Sequence, residues 1–298
     1  MYFSALLKYL VNNHVKFSIN VKTSELVSIK IGGTGKIAIF PKSIDELISI
    51  LDILADNNYI LLGNGTNCYF TDYNFDIPII STKFINNVSF ENNYLIAECG
   101  SSVNSICKLA LKKELSGLEF AYGIPGSVGG AIYMNASAFG DSFSSVVIKS
   151  KAYDKKSRKI YTLSKEEHLF NTKSSIFQNK ELLILESYLQ LKNGNFEEIH
   201  KKMLTYMKKR TSTQPLNVPS AGSIFVNPSF KSASSMIDSL GLKGFSIGDA
   251  QISTKHAGFI INKGKASASD LNSLISFIKN KIKEKYNIEL KEEVIFLT

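Results

Sequence analysis

The chain has 298 residues, enough for two domains with separate cores, and its 44% hydrophobic and 20% charged content is that of an ordinary soluble globular protein. Its net charge of +9 does not mark a nucleic-acid binder: of 35 basic residues only Arg158 and Arg210 are arginine, and the lysines are scattered, whereas phosphate-recognition surfaces favour arginine's planar fork. There is no signal-peptide pattern and no apolar run of membrane-spanning length, and the odd set Cys68, Cys99 and Cys107 forms no CxxC, so we expect a reduced, cytoplasmic protein without disulfides, zinc or a membrane partner.

In chain order, Tyr2 to Val11 has helical apolar spacing, and Ile29–Ile31 and Ile37–Phe40 read as short strands joined by a Gly-rich turn. Ser43 and Glu46 form a capping-box pair ahead of Leu47, Ile48, Leu51, Leu54 and Ala55 at helical spacing. Tyr59 to Leu62 is a strand delivering a Gly63-Asn64-Gly65-Thr66-Asn67 turn. Val88–Phe90 and Tyr94–Ala97 flank Glu91, Asn92 and Asn93 as a hairpin, and Ser102 to Leu115 is an amphipathic helix. Strands are predicted at Val146–Tyr153 and Leu182–Leu191, and a bridging helix at Phe196–Arg210. A helix (Ser232–Leu240), a strand (Gly258–Ile261), a helix (Asp270–Tyr286) and a strand (Ile288–Leu297) follow. Strands and helices mix without a βαβ period, which predicts an α+β protein divided into residues 1–195 and 196–298.

The most informative stretch is GLEFAYGIPGSVGGAIYMNASAFG, Gly117 to Gly140, which holds six of the nineteen glycines. Glycine permits positive φ and close approach of the main chain, and Pro125 fixes one dihedral. This suits a loop wrapped around a large planar cofactor whose phosphates meet backbone N–H groups. Composition alone leaves a tight turn packed in a core equally open. Gly63 to Cys68 half-matches a dinucleotide fingerprint, but Cys68 replaces the third glycine and no helix is predicted after it, so a turn gripping a pyrophosphate fits better. Gly244 to Gly248 matches a nucleophile-elbow pattern, yet a strand before the serine and a helix after it are both missing.

Taken in order, GLEFAYGIPGSVGGAIYMNA resembles the flavin-binding segment of the UDP-N-acetylenolpyruvoylglucosamine reductase family, which acts in peptidoglycan synthesis. Ile31-Gly32-Gly33, LGNGTN (Leu62–Asn67), TQPLNVPSAGSIFVNP (Thr213–Pro228), IGDAQISTKHAGFIIN (Ile247–Asn262) and LKEEV (Leu290–Val294) match the same family in the same order. The resemblance implies a two-lobed FAD-binding domain of the vanillyl-alcohol-oxidase type, followed by a small α/β substrate-binding domain. It implies FAD as cofactor, NADPH as co-substrate and a UDP-sugar enolpyruvyl ether as substrate. It leaves the oligomeric state open.

Carried over by resemblance, Gly63, Asn64, Gly65, Thr66 and Asn67 and, from the glycine segment, Pro125, Gly126, Ser127 and Gly130 belong to the flavin. Ser223 of the AGS-x-F stretch is the proton donor, Asn227 contacts the nucleotide sugar, His256 lies near the substrate and Glu293 belongs to the active site. Two departures stand out. Phe170 to Phe177 keeps Phe170, Ser175 and Phe177 of the F-G-Y-R-x-S-x-F pattern, but has Thr172 for the tyrosine and Lys173 for the arginine that pairs with the substrate carboxylate. Lys173 still offers a positive charge, without the bidentate fork. Val226 stands where the family usually has lysine. His14, His168 and His200 are isolated, and no metal is expected. The alternatives are an FAD oxidase or dehydrogenase of the same fold with another substrate, or an inactive nucleotide-sugar binding module.

Overall fold

A computed structural model describes residues 2–178 and 181–298. The chain divides into two compact units, one of residues 1–18, 37–64 and 77–208 and one of 19–36, 65–76 and 209–298. The fold is α+β.

In the first unit, helices Tyr2–Asn12 and Ile44–Leu54 bury Leu6, Leu10, Leu47, Ile50, Leu51 and Leu54 in one hydrophobic core. The Ser43 hydroxyl accepts the Glu46 N–H at 3.1 Å, as the capping pair predicts, but the Glu46 carboxylate reaches back to Lys42 N–H at 2.8 Å rather than to Ser43. A four-stranded sheet runs in the order Lys16–Lys22, Thr34–Phe40, Ile79–Ser81, Ile60–Leu62, the last three parallel. Parallel strands are covered on both faces, and the continuous Ile-Leu-Leu run of Ile60–Leu62 suits that place. This strand ends directly at Gly63. A five-stranded antiparallel sheet is ordered Lys159–Ser164, Val147–Asp154, Leu182–Gln190, Tyr94–Glu98, Val88–Glu91. Its hairpin from Val88 to Glu98 turns at Asn92, in the left-handed region at φ +52°.

In the second unit, Ser220–Ser223, Phe259–Asn262, Ala250–Ile252 and Ser246–Ile247 form an antiparallel sheet in that order. Helix Ala268–Tyr286 buries Leu271, Leu274, Ile275, Ile278 and Ile282, each contributing about 1.5–3 kcal/mol by leaving water. A reciprocal Ser267–Asp270 capping box begins it and Asn287, left-handed at φ +55°, ends it. Strand Ile295–Leu297 pairs in parallel with Cys68–Phe70.

Several expectations need correction. Ile29–Ile31 is not a strand: Ile29 and Ile31 are buried, but Lys30 between them is left-handed at φ +60° and breaks the extension. Strand Lys16–Lys22 was not foreseen although Phe17, Ile19 and Val21 alternate with polar residues, and strand Lys159–Ser164 was not foreseen because its mostly exposed residues carry no such alternation. The final strand covers only Ile295–Leu297, so Glu293 precedes it instead of lying on it.

Candidate active site

The glycine segment is part loop, part helix. Val128–Tyr133 forms a short helix whose N-cap, Ser127, accepts the Gly130 N–H at 3.3 Å. Val128 and Gly129 donate to the carbonyls of Ser101 and Cys99, both at 2.8 Å. The N–H groups of Val128, Gly129 and Gly130 are committed inside the fold, which leaves those of Gly126 and Ser127 as the candidate donors to an anion at the start of this helix. Gly126, at φ +138°, takes a backbone conformation that disfavours any side chain. Gly130 therefore supplies helix-start geometry, not an N–H for a ligand.

Gly63 closes on the same place. A Cβ built on Gly63 would collide with Ser127 Oγ, so the turn after Ile60–Leu62 and the loop before the short helix touch side by side. Two Gly-rich backbones converging at one point make a cradle for a phosphate-bearing group, and their contact leaves no room for a methyl. In the second unit, Gly65 is left-handed at φ +62°; a Cβ there would strike the Leu26 carbonyl, and Gly65 C=O accepts Ser28 N–H at 2.8 Å. Asn67 is tied elsewhere: its Nδ2 donates to Glu293 C=O at 2.9 Å, and its own carbonyl accepts Ile295 N–H at 3.0 Å. The turn assigned to the flavin thus also fixes the backbone of Glu293, a double use that sequence gave no sign of.

Ser223 and Glu293 are brought together within the second unit. Glu293 N–H donates to Ile224 C=O at 2.7 Å, Val226 N–H donates to Lys291 C=O at 2.9 Å, and Phe225 bridges Glu292 antiparallel. Ser223 is therefore one residue from the carbonyl that holds Glu293. Before it, Gly222 is left-handed at φ +76° with open space where a Cβ would stand. Glu292 is engaged differently, its Oε1 2.9 Å from Lys279 Nζ, so the adjacent glutamates have separate environments.

His256 is close to the same strand. Its Nδ1 accepts Gly258 N–H at 3.1 Å, its ring packs edge-on against Phe259 at 4.9 Å, and Phe259 is the cross-strand partner of Ser223. Accepting at Nδ1 puts the proton of the neutral ring on Nε2. Burial, and secondarily the Lys243 charge, holds its pKa below the ordinary histidine value. Asn227 Oδ1 accepts Ala233 N–H at 3.0 Å, at the start of helix Ala233–Ser239.

Lys173 belongs to the first unit, in a tight turn in which Asn171 N–H donates to Ser174 C=O at 3.0 Å and Ser174 N–H returns to Asn171 C=O at 3.2 Å. Lys173 is left-handed at φ +55°, a position where turns favour Gly or Asn. Side chains from two neighbouring segments hold this turn. Gln178 Nε2 donates to Lys173 C=O and to Tyr133 C=O, both at 3.0 Å. Ser175 Oγ donates to Tyr133 C=O at 2.8 Å, and Asn135 Nδ2 donates to Asn171 C=O at 3.0 Å.

The other reactive residue types have structural roles. His168 is fully buried, with Nδ1 2.6 Å from Ser164 C=O and Nε2 2.9 Å from Ser150 Oγ, itself 2.8 Å from Ser187 Oγ. A carbonyl only accepts, so Nδ1 carries the proton, Nε2 accepts from Ser150 and Ser150 accepts from Ser187. Burial pushes the Cys68 and Cys99 thiols up to about 12. Ser246, in the nucleophile-elbow pattern, sits in a hairpin strand and accepts from Gln251 Nε2 at 3.1 Å, far from elbow geometry. Among the described residues, no three His, Cys, Asp or Glu gather to hold a metal, and no helix is long and apolar enough to cross a membrane.

Residues 35–159 match a family described as an FAD binding domain, and residues 214–297 match the C-terminal domain of UDP-N-acetylenolpyruvoylglucosamine reductase. A protein of that name from Thermotoga sp. (strain RQ2) is 42% identical over 274 residues, covering 92% of this chain and 91% of the relative. Another, from Fervidobacterium nodosum, is 42% identical over 294 residues, covering 97% of this chain and 94% of the relative. The crystal structure of the Thermus caldophilus UDP-N-acetylenolpyruvylglucosamine reductase superposes with a TM-score of 0.81 at 27% identity, covering 95% of this chain and 99% of that one.

Proposed function

Because the chain belongs to the UDP-N-acetylenolpyruvoylglucosamine reductase family, we propose that it reduces the enolpyruvyl ether of UDP-N-acetylglucosamine enolpyruvate to UDP-N-acetylmuramate, with NADPH as the electron source. It does so in the cytoplasm, as a step of peptidoglycan synthesis. Residues 1–195 hold the cofactor and residues 196–298 the nucleotide sugar. The observation that carries this reading is the hydrogen bond from Glu293 N–H to the Ile224 carbonyl, next to Ser223, in a chain whose Gly63 and Ser127 loops touch.

FAD, when bound, supplies the hydride chemistry. The residues fit it: backbone N–H groups of Gly126 and Ser127 and of the Gly63–Asn67 turn would hold the pyrophosphate, and the absence of side chains at Gly63 and Gly126 would let main chain approach it. The reaction adds a hydride and a proton across the substrate's C=C bond. Ser223 gives the proton to the α-carbon. Negative charge that builds on the α-carbon and its carboxylate is met by Lys173, as a point charge. Glu293 is held by its own N–H on Ile224 and by Asn67 on its carbonyl, so its backbone is fixed from both sides before substrate arrives. Asn227 contacts the nucleotide sugar and His256 stands near the substrate. The test is spectroscopic: purified protein should be yellow, anaerobic NADPH should bleach the flavin band, and the enolpyruvyl UDP-sugar should restore it. Colourless protein that does not take up FAD on refolding defeats this reading.

A further inference from the structure

The turn that presents Lys173 closes on its own Asn171–Ser174 hydrogen bonds and is also held from outside by side chains. Lysine gains nothing from a left-handed conformation, which costs roughly 1–2 kcal/mol relative to ordinary backbone, and persists where neighbours over-determine it. Beyond the turn's own bonds, the side-chain contacts that do so converge on one place: the end of the short helix that grows out of the glycine segment. Tyr133 is its last residue, and its carbonyl has no intrahelical partner, as expected at a helix C-terminus. Ser175 and Gln178 both donate to it, at 2.8 and 3.0 Å. The Gln178 amide has two N–H protons; the other partner at 3.0 Å is Lys173 C=O. One planar group therefore spans the glycine-segment helix and the residue of left-handed conformation. Asn135, two residues past the helix, holds the opposite corner of the turn at Asn171 C=O and is itself anchored by accepting Ser144 N–H at 3.0 Å. Phe170 and Phe177, the apolar ends of the segment, pack on the buried His168 ring at 4.9 and 5.5 Å.

We propose that Gln178 is the positioning residue for Lys173, its amide locking the Lys173 turn to the end of the glycine-segment helix, so that cation and cofactor loop keep one fixed spacing. This rests on Lys173 serving the substrate carboxylate. An unanchored lysine could relax to an ordinary backbone conformation and swing its ammonium away, so the cost of losing the clamp falls on the half-reaction with the UDP-sugar and not on reduction by NADPH.

The experiment is stopped-flow of FAD-loaded enzyme, reading both half-reactions for wild type, Gln178→Met, Gln178→Lys, Lys173→Ala and the Lys173→Ala/Gln178→Met double variant. Methionine keeps the length and removes both donors. It should slow flavin reoxidation by about tenfold, the rate equivalent of a lost hydrogen bond felt in the transition state, with NADPH reduction unchanged. Gln178→Lys, whose ammonium offers donors to both carbonyls, should stay within about threefold of wild type. On top of Lys173→Ala, Gln178→Met should add nothing, because there is no cation left to position. If Lys173→Ala leaves reoxidation at the wild-type rate, the carboxylate role fails and the clamp with it. If Lys173→Ala is slow but Gln178→Met is silent, slows both half-reactions alike, or multiplies with Lys173→Ala, the clamp alone is overturned.

Discussion

Replacing Gly63 by alanine tests the convergence of the two glycine loops with one methyl group. The new Cβ would collide with Ser127 Oγ, the far end of a small side chain, so the protein's cheapest response is to rotate that hydroxyl away. Rotation forfeits the N-cap of helix Val128–Tyr133, a loss of about 1 kcal/mol. Ser127→Ala removes the same hydroxyl and costs about the same. In the double variant the methyl meets only the residual Cβ of residue 127, which lies at 3.6 Å, an ordinary contact. The two changes therefore share one penalty, and the double variant should lose about 1 kcal/mol instead of about 2. Thermal unfolding of flavin-free protein reads this as a drop of roughly 2–4 °C for each single variant and about the same for the pair. Drops that add would show that Gly63 and Ser127 are not in contact, and the cradle drawn from them would fall. Gly65→Ala gives the contrast. It strikes the Leu26 main chain at φ +62°, where no side chain can step aside, so Ser127→Ala should not relieve it.

Ser223→Ala should slow flavin reoxidation by the substrate about a hundred- to ten-thousandfold and leave reduction by NADPH intact; equal slowing of the two half-reactions would make the serine structural. Lys173→Ala should slow reoxidation by about ten- to a hundredfold, the loss of a charge-assisted contact, while Lys173→Arg keeps substantial activity, since arginine retains the cation. His168 contributes to the pH dependence of stability. Burial holds its folded pKa below the ordinary value, so as pH falls through the normal histidine range the unfolded chain takes up a proton that the folded chain refuses, and stability drops. His168→Gln should make the fall in Tm between about pH 7.5 and about pH 5.5 shallower, with His256, shifted the same way, supplying part of the remaining slope. An unchanged slope would mean that His168 takes up its proton in the folded chain as readily as in the unfolded one.

What the sequence determined by itself is what depends on local chemistry. Helix Ile44–Leu54 was legible because Ser43 can cap it and its leucines recur at helical spacing. The hairpin at Asn92 and the helix ending at Asn287 follow from residues that tolerate positive φ. The family was legible through the order of motifs along the chain, a signal that composition and periodicity alone did not contain. Tertiary structure decided the rest, because it depends on which distant segments meet. Nothing local announces that Asn67 will hold the carbonyl of Glu293, 226 residues away, or that Gly63 must lack a Cβ because Ser127 is there. Glu293 was expected on a strand because its neighbours are extended, but its backbone bonds go to Ile224 and the ladder begins only at Ile295. In the sequence Lys173 stood out only as a cation without arginine's bidentate fork, next to Thr172 in place of the tyrosine. Its left-handed backbone and the amide that holds it exist only once Gln178 folds back on Tyr133, since hydrogen bonds across loops are set by packing and leave no periodic trace in the chain.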